Sequence, residues 1–68
     1  MKYYAIYDMN DNFVDICFNY KQLSNWFKKP IKSMQCGVCR FLQGKIDFIR
    51  SNDDHKNYKV YKMVDLQD

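Results

Sequence analysis

The chain has 68 residues, a formal net charge of +3, three Cys, and five Phe, six Tyr and one Trp. A chain of this length buries only about 60% of the surface that its unfolded form exposes, so we expect one domain, residues 1–68, with an aromatic core. No apolar run approaches the roughly 18 residues of a membrane span, and the sequence MKYYAIYDMND lacks the apolar centre of a signal peptide. With three Cys, these features predict free thiols in a reducing, cytoplasmic compartment.

The N-terminal part, residues 2–18, has the pattern of a β-hairpin. Aromatic and β-branched residues fill 2–8 and 13–18, and the Asn- and Asp-rich segment 9–12 between them favours a turn. Alternation divides each strand into two faces. We expect the helices to cover the face that carries Tyr4, Ile6, Val14, Ile16 and Phe18, leaving Tyr3 and Tyr7 on the other.

The central part, residues 19–44, has the pattern of two short amphipathic helices. Asn19 followed by Gln22 forms a capping-box pattern for the first helix, and the sequence before Pro30 ends it. Pro30 suits the first turn of the second helix, and Gly44 its end. The apolar stripes predicted to face the core are Tyr20, Leu23, Trp26 and Phe27 in the first helix, and Ile31, Met34, Val38, Phe41 and Leu42 in the second.

The C-terminal part, residues 45–64, has the pattern of a second hairpin. Strands are expected at 46–50 and 58–64, with a polar loop at 51–57, and residues 65–68 are expected to fray. The element order is ββααββ. It predicts a two-layer α+β domain with an antiparallel sheet and the helix pair on one of its faces.

The helix pair has the layout of a helix-turn-helix, in which the second helix enters the major groove of DNA. Arg and Gln can form paired hydrogen bonds with base edges, while Lys and Arg contact phosphates. The alternative is a helix hairpin whose outer face is merely solvated. The residues expected to contact nucleic acid are Lys32, Ser33, Gln35, Cys36, Arg40 and Gln43 on the second helix, with Lys28, Lys29, Lys45 and Arg50 flanking it as phosphate contacts.

From Tyr4 to about Lys45 the chain resembles the modular DNA-binding repeat attached to homing endonucleases, and short stand-alone phage and prophage proteins of low-GC Gram-positive bacteria. The positions that carry the resemblance are Tyr4, Ile6, Tyr7 and Asp8, then Val14, Phe18, Asn19 and Gln22, and finally Gly44 and Lys45. The resemblance implies a helix-turn-helix that grips duplex DNA in a bacterial cytoplasm. Lys28 stands where the repeat has a Gly, and residues 29–35 replace its I-S-x-S-T-I-S segment.

A second hypothesis follows from these departures, the small size and the aromatic residues. It is a phage-encoded inhibitor that docks on a host defence protein, in the manner of an anti-CRISPR protein. Tyr3, Tyr7 and Tyr61 are expected to line the sheet face away from the helices. Such an exposed patch often marks an interface, so a homodimer or a protein partner is plausible, with base stacking on single strands as the rival.

The sequence gives no support for catalysis, a metal site or a cofactor. Cys36 and Cys39 have the C-x-x-C spacing, but only Cys17 and His55 remain to complete a zinc site, and both are expected far from them. A thioredoxin-type dithiol would need a βαβ setting, which this order of elements lacks. We therefore interpret Cys36 as exposed and Cys39 as lying at the edge of the core, and His55 as part of a solvated loop.

Overall fold

The computed structural model describes residues 2–64 and shows a two-layer α+β fold. The N-terminal hairpin, the helix pair and the C-terminal hairpin follow one another as predicted. The elements are β1 (Lys2–Asp8), β2 (Phe13–Cys17), α1 (Tyr20–Phe27), α2 (Ile31–Leu42), β3 (Ile49–Arg50) and β4 (Asn57–Val64). None of the helices in this part of the chain is long and apolar enough to cross a membrane. The expected fraying of 65–68 lies outside the described residues.

The sheet has the strand order β2-β1-β4-β3, and every neighbouring pair is antiparallel. The two hairpins therefore lie side by side, joined along β1 and β4, whose register runs from Lys2 opposite Val64 to Asp8 opposite Tyr58. This pairing brings together two hairpins that are far apart in the sequence, and it needs no parallel crossover. It also leaves one sheet face for the helices and the other open.

The first helix begins and ends as its local sequence dictates. The Asn19 side chain accepts a 2.8 Å hydrogen bond from the Gln22 N–H, and the Gln22 side chain accepts one from the Phe18 N–H. At the other end Lys28 adopts the left-handed conformation, with φ 55°, and the Lys29 N–H returns to the Ser24 carbonyl. This is a Schellman-type stop in which a Lys holds the position that usually favours Gly.

The second helix begins at Ile31, and Pro30 is its N-cap and not a residue of its first turn. Gly44 ends it with φ +76°, and the Lys45 N–H donates to the Arg40 carbonyl at 2.9 Å. Gly44 is therefore the left-handed stop that the sequence predicts. The two helices end in the same way, one at Lys28 and the other at Gly44.

The core lies between the helix pair and one face of the sheet. Leu23 and Phe27 of α1 are buried as predicted, and Tyr20 and Trp26 pack partly buried against the core. The buried apolar stripe of α2 is shorter than predicted, because Ile31 and Leu42 at the two ends of the helix are exposed. The buried set is Ile6, Cys17, Leu23, Phe27, Met34, Val38, Ile49, Tyr58 and Val60.

The prediction for the faces of β2 is wrong. Tyr4 pairs with Cys17 and Ile6 pairs with Asp15, so Cys17 and Asp15 share the helix-covered face. Ile16 instead pairs with Ala5 on the open side, while Val14 occupies a β-bulge and is exposed. Alternation alone did not decide the face, because Phe13 and Cys17 make the second set of positions apolar as well.

The C-terminal hairpin also caps α1. Its first strand is shorter than predicted, with Ile49–Arg50 in place of 46–50. In the loop that follows, the Asn52 N–H donates to the Phe27 carbonyl at 2.8 Å, and its side-chain amide donates to the Lys28 carbonyl at 3.1 Å. The loop therefore satisfies carbonyl groups that the end of the helix leaves unpaired.

Candidate nucleic-acid interface

The side of α2 away from the core is polar and exposed along its whole length. Lys32, Cys36, Cys39 and Gln43 follow one another at spacings of four, three and four residues, so they form one ridge. We call the set on and beside this ridge the α2 outer face. It consists of Lys32, Ser33, Gln35, Cys36, Cys39, Arg40 and Gln43, all of which are exposed.

The C-terminal part of α2 and the residues after it bring five of the predicted contact residues together. Gln35, Cys36, Arg40, Gln43 and Lys45 line a shallow depression of about 400 Å³ together with Cys39. Gly44 turns the chain back after the helix, which places Lys45 beside the last turn. The depression therefore combines two cations with two amide side chains. This combination suits a phosphate next to a base edge.

The first turn of α2 carries the predicted contacts Lys32 and Ser33. No side chain caps this end of the helix, and the first backbone bond within it runs from the Met34 N–H to the Pro30 carbonyl. Backbone N–H groups at such an end, together with the helix dipole, favour an anion. Lys32 adds a positive side chain to this end.

The elbow between the helices has acidic neighbours that the sequence analysis did not place beside it. Lys28 is exposed, but it lines a separate cleft of about 320 Å³ together with Asp53 and Asp54. The Asn52 hydrogen bonds hold this acidic loop against the end of α1. The neighbouring carboxylates reduce the positive potential at Lys28. The remaining two predicted phosphate contacts, Lys29 and Arg50, are half-buried and exposed respectively, and they do not line the depression.

The charge of the chain is divided between the helix pair and the sheet. From Ile16 to Ile46 there are six Lys or Arg and no acidic residue, while the remainder contains all eight Asp. The turn at 9–12 and the loop at 51–56 meet at one end of the sheet, because Asp8 lies opposite Tyr58. This sheet end is acidic, and the positive charge is concentrated on the helix layer.

The far half of α2 lies away from the acidic end. Phe41, next to Arg40, packs its ring 5.4 Å from that of Tyr61. Tyr61 is three residues further along β4 than Tyr58, or about 10 Å at 3.3 Å per residue. Arg40 therefore lies on the part of α2 that is further from the carboxylates of the two loops, while Lys45 has Asp47 two residues after it.

The acidic end is held together by its own hydrogen bonds. The Tyr58 hydroxyl donates to Asp54, and this bond is the main cause that raises the pKa of Tyr58 to about 12 and lowers the pKa of Asp54. Lys59 forms an ion pair with Asp11 at 2.6 Å. Within residues 2–64, none of the cations predicted to contact nucleic acid forms an ion pair.

Cys36 is exposed as predicted, but the prediction for Cys39 is wrong. Cys39 lies on the outer ridge beside Cys36, and not at the edge of the core. The spacing of four, three and four residues from Lys32 to Gln43 is the sequence signal that could have shown this. Cys17 is buried in β2, and residues 2–64 contain no group of three or more potential metal ligands.

No protein-family model, curated protein or solved structure matches this chain. The resemblance to the modular DNA-binding repeat therefore stays a prediction.

Proposed function

We propose that this protein binds duplex DNA through the α2 outer face. The observation that carries the proposal is the separation of charge: six cations and no acidic residue between Ile16 and Ile46, with the α2 outer face fully exposed. A polyanion would approach the helix layer and be repelled from the acidic end of the sheet. The helix pair and the uncapped start of α2 support the same orientation.

Within this interface the residues have different roles. Lys32, Arg40 and Lys45 contact phosphates, and Gln35 and Gln43 are placed to reach base edges if α2 enters the major groove. Lys28 contributes little, because it shares its cleft with Asp53 and Asp54. The proposed interface is therefore centred on the C-terminal half of α2, and not on the elbow.

The test is the affinity for a random-sequence duplex, measured by fluorescence anisotropy at several salt concentrations. Each phosphate contact contributes about −0.9 to the slope of log K against log salt. Arg40→Ala and Lys45→Ala should each weaken binding several-fold and make the slope shallower by about one unit.

Lys56→Ala is the matched control, since Lys56 is an exposed lysine in the acidic loop. It removes the same charge as Lys45→Ala but should change the affinity less than twofold and leave the slope unchanged. Equal effects of Lys45→Ala and Lys56→Ala would place the interface elsewhere. Affinity that does not change with salt would remove DNA binding and favour the alternative, docking on a host defence protein.

A further inference from the structure

The open sheet face is unusually apolar for a surface of this small, charged protein. We give this name to the face opposite the helices. Its exposed and half-buried residues, read from the strand registers, are Tyr3, Tyr7, Phe13, Ile16, Lys59, Tyr61 and Met63, while Ala5 on the same face is buried. Phe13 is 59% exposed, Ile16 38% and Met63 38%. Large exposed apolar surfaces of this kind are characteristic of protein interfaces.

The orientation of β2 is the strongest evidence that a partner covers this face. The strand presents Asp15 and Cys17 to the helices and its bulkier residues, Phe13 and Ile16, to solvent. A one-residue change of register would exchange the two faces. The observed arrangement therefore leaves the larger apolar side chains outside the core of a single copy.

The aromatic rings of this face are already ordered into a row. Tyr7 lies 5.8 Å from Phe13 on one side and 5.6 Å from Tyr61 on the other, both in edge-to-face geometry. The row continues from Tyr61 to Phe41 at the end of α2. Side chains held in this way lose little further conformational freedom when a partner covers them, which lowers the entropic cost of association.

The charge of the open sheet face favours a protein as its partner over a nucleic acid. Its one charged side chain is that of Lys59, and this charge is neutralised by Asp11 at 2.6 Å. Single-stranded nucleic acid binds where aromatic side chains are accompanied by a positive groove. The registers place no second cation on the open sheet face within residues 2–64, so this face lacks the electrostatic component.

The free edge of β2 is protected, so a partner must dock on the face. The Asp15 carboxylate accepts a 2.8 Å hydrogen bond from the Ile16 N–H and a 3.1 Å bond from the Trp26 indole. A carboxylate held at an edge strand in this way opposes pairing with another strand. A continuous sheet through two β2 strands is therefore disfavoured.

We infer that a second copy of this chain covers the open sheet face, giving a two-fold dimer with its sheets packed against each other and its helices outside. An apolar, aromatic and uncharged face is complementary to itself across a two-fold axis. The area fits a weak dimer. Four strands about 4.8 Å apart and a β1 of seven residues at about 3.3 Å per residue give a sheet of roughly 19 × 23 Å, or at most about 450 Å² per copy. Two such faces lie at the small end of specific interfaces, which corresponds to association at micromolar to millimolar concentration.

The dimer has a consequence that rests on the proposed function. With the sheets in the middle, the two α2 outer faces point in opposite directions on a particle that is about twice as thick as one copy, whose shortest extent is 21 Å. Helix-turn-helix dimers that read one duplex place both helices on the same side, about 34 Å apart. This dimer instead presents one DNA-binding surface on each side, so it would join two duplex segments.

The first experiment is sedimentation equilibrium of the full chain between 5 µM and 1 mM. We expect a monomer–dimer equilibrium whose dissociation constant rises at least tenfold in Phe13→Thr and several-fold in Ile16→Thr. Ile31→Thr makes the same change at an exposed position of α2 (43% exposed) and should alter the constant less than twofold. Circular dichroism spectra and melting curves of all three variants establish that they are folded.

Three results would overturn the dimer. The first is a folded chain that stays monomeric at 1 mM. The second is a dimer that Ile31→Thr weakens as much as Ile16→Thr does. The third is a monomer whose binding to an oligo-dT strand is lost in Phe13→Thr, which would make the open sheet face a base-stacking surface.

The second experiment tests the arrangement of the two copies. A bead-bound duplex should capture a second, fluorescent duplex when the protein is added, and Phe13→Thr should reduce capture at least tenfold while still binding one duplex. Binding of duplex without such capture, at concentrations where the dimer forms, would overturn the outward arrangement. A dimer sensitive to Phe13→Thr in a protein that binds no duplex would support the dimer and contradict the proposed function.

Discussion

The Trp26 indole N–H donates a 3.1 Å hydrogen bond to the Asp15 carboxylate, which joins the first helix to the edge strand of the sheet. The other oxygen of the same carboxylate accepts from the Ile16 N–H. The Asp15 carboxylate thus accepts hydrogen bonds from a helix side chain and from the backbone of the edge strand. Its position on the helix-covered face is part of what directs Ile16 to the open side.

Asp15→Ala should lower the free energy of unfolding by about 1 kcal/mol, because two donors lose their acceptor. Asp15→Asn keeps one carbonyl oxygen and should cost less than half as much. Urea denaturation followed by Trp26 fluorescence measures both variants. Equal losses in the two would show that charge, and not hydrogen bonding, accounts for the role of Asp15.

Lys28→Gly should raise the free energy of unfolding by about 0.5–1 kcal/mol. Lys28 has φ 55°, a conformation that glycine adopts without the steric penalty of a side chain. The control is Lys21→Gly, an exposed position inside α1, which should lower stability by up to about 1 kcal/mol. Thermal melts of the two variants, which have the same composition, should therefore shift in opposite directions.

Gly37→Ala should stabilise the protein by about 0.5–1 kcal/mol, since Gly in a helix is less favourable than Ala. A methyl group at this position would lie 3.8 Å from the Ile49 side chain, which is an ordinary contact. The opposite result is expected at Gly44, where φ is +76°, so that Gly44→Ala should cost about 1 kcal/mol. Loss of stability in Gly37→Ala would mean that α2 cannot accept even this contact.

The hydrogen bond from Tyr58 to Asp54 should make stability depend on alkaline pH. It raises the pKa of Tyr58 to about 12 from the ordinary value of about 10, so folded Tyr58 holds its proton more tightly than the unfolded chain does. Its stabilisation is therefore complete below pH 10 and is lost as the pH rises toward 12. Tyr58→Phe should flatten this loss in urea denaturation measured from pH 9 to 12.

The same bond acts on Asp54 at acid pH. It lowers the pKa of Asp54, so the stabilisation that the folded protein gains from ionised Asp54 is present above about pH 4 and is lost as the pH falls through the lowered value.

The tyrosine side of the bond can be observed directly. Absorbance at 295 nm should show one fewer late-titrating tyrosine in Tyr58→Phe. Tyr4, whose pKa burial and the neighbouring Tyr20 raise to about 12, should remain. Loss of a tyrosine that titrates near pH 10, and not of a late-titrating one, would contradict the bond.

The charge pattern of the candidate site could be predicted only in part. Lys32, Arg40 and Gln43 follow from helical spacing, and the structure places them on the exposed side of α2. The acidic surroundings of Lys28 could not be predicted, because Asp53 and Asp54 are more than twenty residues away in the chain. Only the docking of their loop against α1 brings these charges together.

The sequence by itself determined the elements, their order, the start of α1 and the end of α2. Asn19, Gln22 and Gly44 act through hydrogen bonds and backbone conformations that span a few residues, so a short window of sequence contains the necessary information. Only the tertiary structure decided the strand order and the faces of β2. Both sets of alternating positions in β2 are apolar enough to be buried. The choice between them came from the Asp15–Trp26 bond, the bulge at Val14 and the pairing of β1 with both hairpins, contacts that join distant parts of the chain.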